Sequence, residues 1–279
     1  MPETLAALTK WLLYTGGAWS AGSALAAASL RRHLAGLADS VFYTIAPAAA
    51  ITLLASVLNV VMLLIRLGED FSSDTVAAVL GTSVGLAAGL QILGAFLVCA
   101  GALSNTPPQT LLVLGALAML GSFGVSGHAS ALNAALGFLA FVHVCAAAWW
   151  FAALLLLHAA CGALSAKALV ELVRAFSRQA TAIVAVLVGA GVWLVLTLVD
   201  FRGADRFTPY ARNLSVKIAL AAGALAVATW NKTRLTPRLD SGDGAGARAL
   251  RVSITIELLI IVAVFAATAW MTTFYSPHH

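Results

Sequence analysis

Charged side chains are scarce in this sequence. Asp, Glu, Lys and Arg together make up 10% of its 279 residues, whereas soluble domains carry about 25%. Hydrophobic residues make up 61%, a composition that excludes an ordinary soluble domain and predicts an integral membrane protein. The sequence also lacks a nucleotide-binding loop, a nucleophile paired with a base and a pair of catalytic carboxylates, so we expect neither an ATP-driven pump nor an enzyme.

Cysteine is rare, and regular alternation of apolar and polar residues is missing. Cys99, Cys145 and Cys161 all fall within apolar runs, so no disulfide framework is predicted. A transmembrane β-barrel requires alternation over segments of about 10 residues. These absences favour an all-α fold.

The sequence instead contains long continuous apolar runs. A hydrocarbon core of about 30 Å requires about 20 helical residues, and about eight runs of suitable length are present. They cover approximately residues 5–30, 41–65, 75–101, 110–126, 132–162, 176–199, 212–230 and 252–274. We therefore predict a polytopic bundle of about eight transmembrane helices, forming a single domain over residues 1–279. The polar segment 231–251 is predicted to be a flexible loop.

Basic residues are distributed unevenly between the loops. The odd-numbered loops hold Arg31, Arg32, Lys167, Arg174, Arg178, Lys232, Arg234, Arg238, Arg248 and Arg251, and the termini and even-numbered loops hold Lys10, Arg66, Arg202, Arg206 and Arg212. Because positive loops stay in the cytoplasm, both termini are predicted to face outside a bacterial inner membrane. A cleavable signal peptide in the first run is the competing interpretation, which would leave seven helices.

Ionisable side chains inside the apolar runs mark the candidate site, since a charge at bilayer depth costs at least about 2.5 kcal/mol. His143 lies about eleven residues into the fifth run, near the membrane midplane. At helical spacing, Trp150, His158 and Cys161 share its face. In the alternative interpretation, His143 is a neutral ring that bonds a neighbouring helix and fixes the packing.

His128 precedes the same run, after a glycine that allows the backbone to turn. In one continuous helix the rings of His128 and His143 would be about 22 Å apart, too far to share an ion. They are interpreted as successive binding positions, unless the Gly127 region folds back over the bundle. Imidazole, thioether and thiolate ligands suit Cu(I) better than Mg²⁺ or Ca²⁺. The predicted metal ligands are His128, His143, His158, Cys161, Met62, Met119 and Met271; ordinary packing is the alternative for each sulfur side chain.

Further polar residues follow the later runs. Tyr210, Asn213 and Lys217 share a face of the seventh run, and Glu257 lies about six residues into the eighth. Lys217 and Glu257 are offset by about 10 Å along the membrane normal, which disfavours a direct ion pair. They are expected to bond polar groups of other helices, such as Asn59 or Gln91.

A series of short motifs resembles the CopD copper-resistance membrane proteins. Ser126-Gly127-His128-Ala129, followed by His143 and Ala146-Ala147-Ala148-Trp149, is similar to the family's GHA…H-x-x-A-A-A-W signature. The resemblance continues in order over about residues 110–277, through Phe176-Ser177, Tyr210, Leu214, Lys217, Asn231, Leu235, Pro237, Leu239 and Leu250 to Glu257. Two features depart from the family pattern. Phe151-Ala152-Ala153 stands where Gly-Gly-Leu is common, and the first helix offers no histidine around Trp11.

The resemblance implies an inner-membrane protein that handles copper, often an importer working with a periplasmic carrier of the CopC type. We therefore predict copper translocation, in which His128 captures the ion, His143 passes it on, and His158 with Cys161 releases it. A haem-binding electron carrier is one alternative, suggested by two helical histidines fifteen residues apart. A copper sensor or assembly scaffold is the other. Membrane lipids are expected partners, and nucleic acid is not.

Overall fold

The computed structural model describes residues 2–34, 37–67, 72–104, 106, 108–198, 208–240 and 244–275. These residues are almost entirely helical and contain no strand, which confirms the all-α fold. The helices are α1 (Pro2–Leu30), α2 (Ala38–Leu67), α3 (Ser73–Leu80), α4 (Ser83–Ala102), α5 (Gln109–Val125), α6 (His128–Leu132), α7 (Ala134–Ala163), α8 (Ala166–Leu198), α9 (Pro209–Trp230), α10 (Thr236–Asp240) and α11 (Gly244–Phe274). A 3₁₀ turn follows α1 at Arg31–His33, and a π-helical segment at Asn231–Leu235 joins α9 to α10.

Contacts between helix ends show that the long helices run up and down. Lys10 Nζ of α1 donates to Thr272 O of α11 at 2.8 Å, and Arg66 Nη2 of α2 donates to Thr273 O at 3.2 Å. At the opposite end, Arg31 Nη1 donates to Gln109 Oε1 at 3.1 Å. Following the predicted orientation, the end with Lys10 and Thr272 is called the outer end, and the end with Arg31 the inner end.

In the described part of the chain, six helices are long and apolar enough to cross a membrane. They lie within Tyr43–Arg66, Ser83–Ala102, Ala134–Ala163, Ala166–Leu198, Pro209–Leu239 and Ala245–Phe274. The multi-pass membrane fold is thereby confirmed. Helix α5 is apolar but has only 17 residues, and α1 is not among the six. The count of eight spans stays a prediction. Arg202 and Arg206, which enter the charge pattern of the predicted outer loops, lie outside the described residues.

Helix α1 lies at the centre of the bundle, where it contacts α2, α4, α5, α7, α8 and α11. Most of its buried side chains are small, including Ser20, Ala21, Ser23 and Ala24, and Leu13 and Leu30 are buried as well. In a membrane, helices associate through close contact of small residues, because lipid is as apolar as leucine. A helix surrounded by protein needs little lipid-facing leucine, which explains why α1 is less apolar than its neighbours. Helix α1 is thus part of the packed core.

Two predicted segment boundaries are wrong. The run 75–101 is not one helix, because it is divided into α3 and α4 at Thr82. Thr82 is the N-cap of α4, and its Oγ1 accepts a hydrogen bond from the Gly85 N–H at 3.3 Å. The segment 231–251 is not a flexible loop in its described part, since the π-helical segment, α10 and the start of α11 occupy it. The inner end is therefore more ordered than its glycine content suggested.

Candidate metal-handling site

His143 lies between α7 and α8, half-buried in the outer half of the bundle. Its Nδ1 atom is 3.0 Å from the Leu187 carbonyl oxygen. Because a carbonyl oxygen only accepts, Nδ1 carries the hydrogen and donates it, which leaves the lone pair of a neutral ring on Nε2. Metal-binding histidines are commonly oriented by this kind of backbone bond. The His143 ring can therefore bind a soft cation through Nε2.

Small residues of α8 allow this approach. A Cβ atom added to Gly191 would lie 3.0 Å from His143 Cε1. Beside it, Gly189 and Ala190 line an open cavity of about 500 Å³ that extends outward between α7 and α8 to Asn133 and Trp193. The α7–α8 boundary is therefore open on the outer side of His143, between Leu139 and Ala190.

Lys217 of α9 brings a positive charge towards the same place. It acts electrostatically on the His143 ring. On the same face of α9, Tyr210 and Leu214 pack with Met271 of α11. In its charged form Lys217 opposes the binding of a metal cation at His143.

His128 begins α6, and its side chain lies outside the described part of the structure. The chain does not continue as one helix to His143. Gly127 has a φ of +107°, and Asn133 is extended and caps α7 through Oδ1, which accepts from Leu136 N–H at 2.9 Å. Helix α6 packs back on α7, since a Cβ added to Gly137 would lie 3.2 Å from Ser130 Cβ. Gly137 is only about 9 Å along α7 from His143.

His158 and Cys161 lie near the inner end of α7 beside Arg251 of α11. Arg251 Nε donates to His158 Nε2 at 3.4 Å, so that nitrogen is an acceptor of a neutral ring. Arg251 also acts electrostatically on the free Cys161 thiol. A metal ion can bind through His158 Nε2 only after Arg251 moves away.

The three predicted methionine ligands lie at different helix boundaries. Met119 is buried between α5 and α4, next to Gly94, and Met271 is buried against Leu214. Met62 is half-buried on α2. Across the described residues, no group of three or more His, Cys, Asp or Glu side chains is placed to hold a metal ion. The structure does not gather the predicted ligands into one centre.

A buried polar pair in the inner half escaped the sequence interpretation. Glu257 and Asn231 are 1% and 8% exposed, and Asn231 Nδ2 donates to Glu257 Oε2 at 2.8 Å. Trp150 of α7 also interacts with the carboxyl group. The predicted partners were Asn59 or Gln91, but Gln91 Nε2 instead donates to Ser122 Oγ at 2.9 Å. The presence of both Asn231 and Glu257 in the motif series was the available signal.

The π-helical segment determines where Asn231 lies. The Thr236 N–H bonds the Asn231 carbonyl five residues earlier, so the turn is wider than an α-helical turn. Single π turns within α-helices frequently mark functional sites. The wide turn begins at the residue that bonds Glu257.

Two family models match the chain. The model described as Copper resistance protein D-like, N-terminal domain, matches residues 1–138, and the Copper resistance protein D model matches residues 170–271. Lys217, Asn231, Glu257 and Met271 lie within the second match, whereas His143, His158 and Cys161 lie between the two. No curated protein and no solved structure matches the chain. Because the two matches together cover most of a multi-pass helical bundle, the chain belongs to the CopD family of copper-resistance membrane proteins.

Proposed function

We propose that this membrane protein imports copper across the bacterial inner membrane and that His143 binds the ion during transit. One observation carries the proposal: His143 Nδ1 bonds the Leu187 carbonyl at 3.0 Å, so Nε2 keeps a lone pair for a soft cation. Imidazole nitrogen is a suitable copper ligand, and the oxygen-rich sets that Mg²⁺ and Ca²⁺ require are not built around this ring.

The ion's path follows the α7 face. Copper enters at the outer end near α6, where His128 captures it, and reaches His143 along the α7–α8 boundary. It leaves near His158 and Cys161 after Arg251 moves aside. Met271 on α11 and Met119 on α5 supply thioether sulfur on helices that contact α7, and Met62 supplies it on α2. The ligands act in succession because they lie at separate helix boundaries.

Lys217 keeps the binding at His143 weak. Conduction requires that an ion bind well enough to enter a site and weakly enough to leave it. A nearby ammonium group lowers the affinity of His143 for a cation, which suits transit. This favours a transporter over a sensor or scaffold, both of which need stable copper binding.

The partners follow from the predicted orientation. Both termini and α6 lie at the outer end, where a periplasmic copper carrier of the CopC type would deliver its ion. At the inner end, exposed basic side chains, including Arg234, Arg238 and Arg248, contact anionic lipid headgroups.

Copper accumulation in cells tests the proposal. Cells producing His143→Ala at the wild-type protein level should accumulate no more copper than cells without the protein. His33→Ala is the matched control, because His33 lies in the 3₁₀ turn after α1 and not on the α7 face that the proposed path follows. Uptake by His143→Ala equal to that of the wild type would rule the proposal out.

A further inference from the structure

Glu257 is a buried acid without a basic partner in the described structure. The groups that interact with its carboxyl are Asn231 and Trp150, which are both uncharged. The nearby cations have other partners. Arg251 bonds His158, Lys232 donates to Thr181 Oγ1 at 2.8 Å, and Arg234 lies 5.9 Å from the Trp230 ring. A carboxylate so enclosed is costly unless something neutralises it.

Two buried oxygen atoms of this pair lack a hydrogen-bond partner. They are Glu257 Oε1 and Asn231 Oδ1. The other atoms of the pair are bonded to each other, since Asn231 Nδ2 donates to Glu257 Oε2. One hydrogen on Oε1 would convert that atom into a donor, and Oδ1 is the acceptor left over in the same pair. A single proton on Glu257 Oε1 would thus supply the donor for Asn231 Oδ1 and give both atoms a hydrogen-bond role.

Other ligands fit this place less well. Copper(I) prefers sulfur and imidazole to carboxylate and amide oxygen. Calcium and magnesium require about six or more oxygen ligands, whereas no group of three or more His, Cys, Asp or Glu side chains among the described residues is placed to hold a metal ion. A proton is the one cation that needs no further ligands.

We propose that Glu257 and Asn231 form a proton-binding site whose loading and release drive copper movement. In each cycle a proton from the outer aqueous phase binds Oε1, and it is later released to water at the inner end, which restores the carboxylate. Copper travels in the same direction. The coupling part of this inference rests on the proposed function.

Trp150 connects the two sites. It lies seven residues from His143 on α7, which is two helical turns or about 10 Å, on the same face. Its side chain is 5% exposed and interacts with the Glu257 carboxyl. A change at Glu257 therefore reaches the helix face that holds His143 through one rigid, buried side chain.

Infrared spectroscopy of the purified protein tests proton binding directly. At neutral pH the wild type should show a carboxylic acid C=O band that shifts in D₂O and is lost in Glu257→Gln. Glu171→Gln is the matched control, because Glu171 is an exposed acid on α8, and it should keep the band. In Asn231→Ala the band should move to higher frequency, since the acid loses its acceptor. A band unaffected by Glu257→Gln would overturn the proposal.

Copper flux into proteoliposomes tests the coupling. Wild-type flux should rise when the outer side is made more acidic than the inner side, and flux through Glu257→Gln should not respond to the gradient. If wild-type flux ignores the gradient, the coupling is refuted. If no copper moves in any variant, the proposed function fails as well, while the infrared band still decides whether the proton site exists.

Discussion

The N-terminal helices α1, α2 and α4 to α5 bond several buried hydroxyl groups within one helix, whereas the C-terminal helices α7 to α11 hold buried polar side chains that are bonded across helices. In the first group, Ser20 Oγ, Thr52 Oγ1 and Ser56 Oγ each donate to the carbonyl four residues earlier at 2.8 Å. In the second, His143 bonds α8 and Asn231 bonds Glu257 of α11. Gln91, which bonds Ser122 across α4 and α5, is an exception in the first group. Thr273 Oγ1, which donates to the Ala269 carbonyl of its own helix at 2.8 Å, is an exception in the second.

This difference indicates that the N-terminal helices serve as a structural scaffold and that the C-terminal helices form the functional part of the bundle. A hydroxyl group that is bonded within its own helix forms no hydrogen bond to a neighbouring helix. The N-terminal helices are therefore held together by close contact of glycine and alanine residues. Where a hydrogen bond joins two helices, replacing either of its side chains leaves the other buried polar group unpaired and lowers the stability of the protein. The C-terminal helices therefore carry the chemistry, and the N-terminal helices hold them in place.

The largest expected effect is on the scaffold. A Cβ added to Gly94 of α4 would lie 2.5 Å from both Met119 Cγ and the Gly115 carbonyl oxygen. Gly94→Leu should therefore destabilise the bundle by about 3 kcal/mol, through overpacking. Thermal unfolding in detergent measures this. Gly89→Leu on the same helix is the control, because nothing lies within 4 Å of an added Cβ there. Equal losses in both variants would contradict the description of the scaffold.

A smaller effect is expected in the buried polar pair. Glu257→Ala leaves the Asn231 amide without its partner and should cost about 1–3 kcal/mol of unfolding free energy. Glu257→Gln should cost much less, because its amide supplies the hydrogen that a protonated acid would donate. The same unfolding assay compares the two. A greater loss in Glu257→Gln than in Glu257→Ala would indicate that a charged carboxylate is required.

The smallest effect is expected for a locally bonded hydroxyl group. Ser20 is fully buried, yet its bond partner, the Gly16 carbonyl, lies in the same helix. Ser20→Ala should therefore change the stability by about 0.5 kcal/mol or less. A loss comparable to that of Glu257→Ala would remove the distinction between the two groups of helices.

Helix positions were largely predictable from the sequence because the membrane imposes a length and an apolar composition. The predicted runs 132–162 and 212–230 agree within three residues with α7 and α9. The division at Thr82 was missed because a capping threonine is a weak signal within a long apolar run. Folding of segment 231–251 was missed because a Gly-rich composition was given more weight than its neighbouring helix formers.

The site was less predictable because it depends on contacts between helices. Asn231 and Glu257 are 26 residues apart in the chain, and a π turn has no distinctive composition. His143 was predicted as an intramembrane histidine and lies within the long apolar helix α7, but its Leu187 partner is a backbone carbonyl, which any residue could supply. Likewise, composition did not reveal that α1, which is less apolar than the helices it contacts, occupies the centre of the bundle.

Copper content of the purified protein tests the central claim most directly. At equilibrium with excess Cu(I) in a dialysis cell, the wild type should bind a stoichiometric amount of copper, and so should His33→Ala. His143→Ala should bind markedly less, with a further decrease when His128→Ala is added. A wild type that binds no copper under these conditions, or a His143→Ala variant that binds as much as the wild type, would contradict the account.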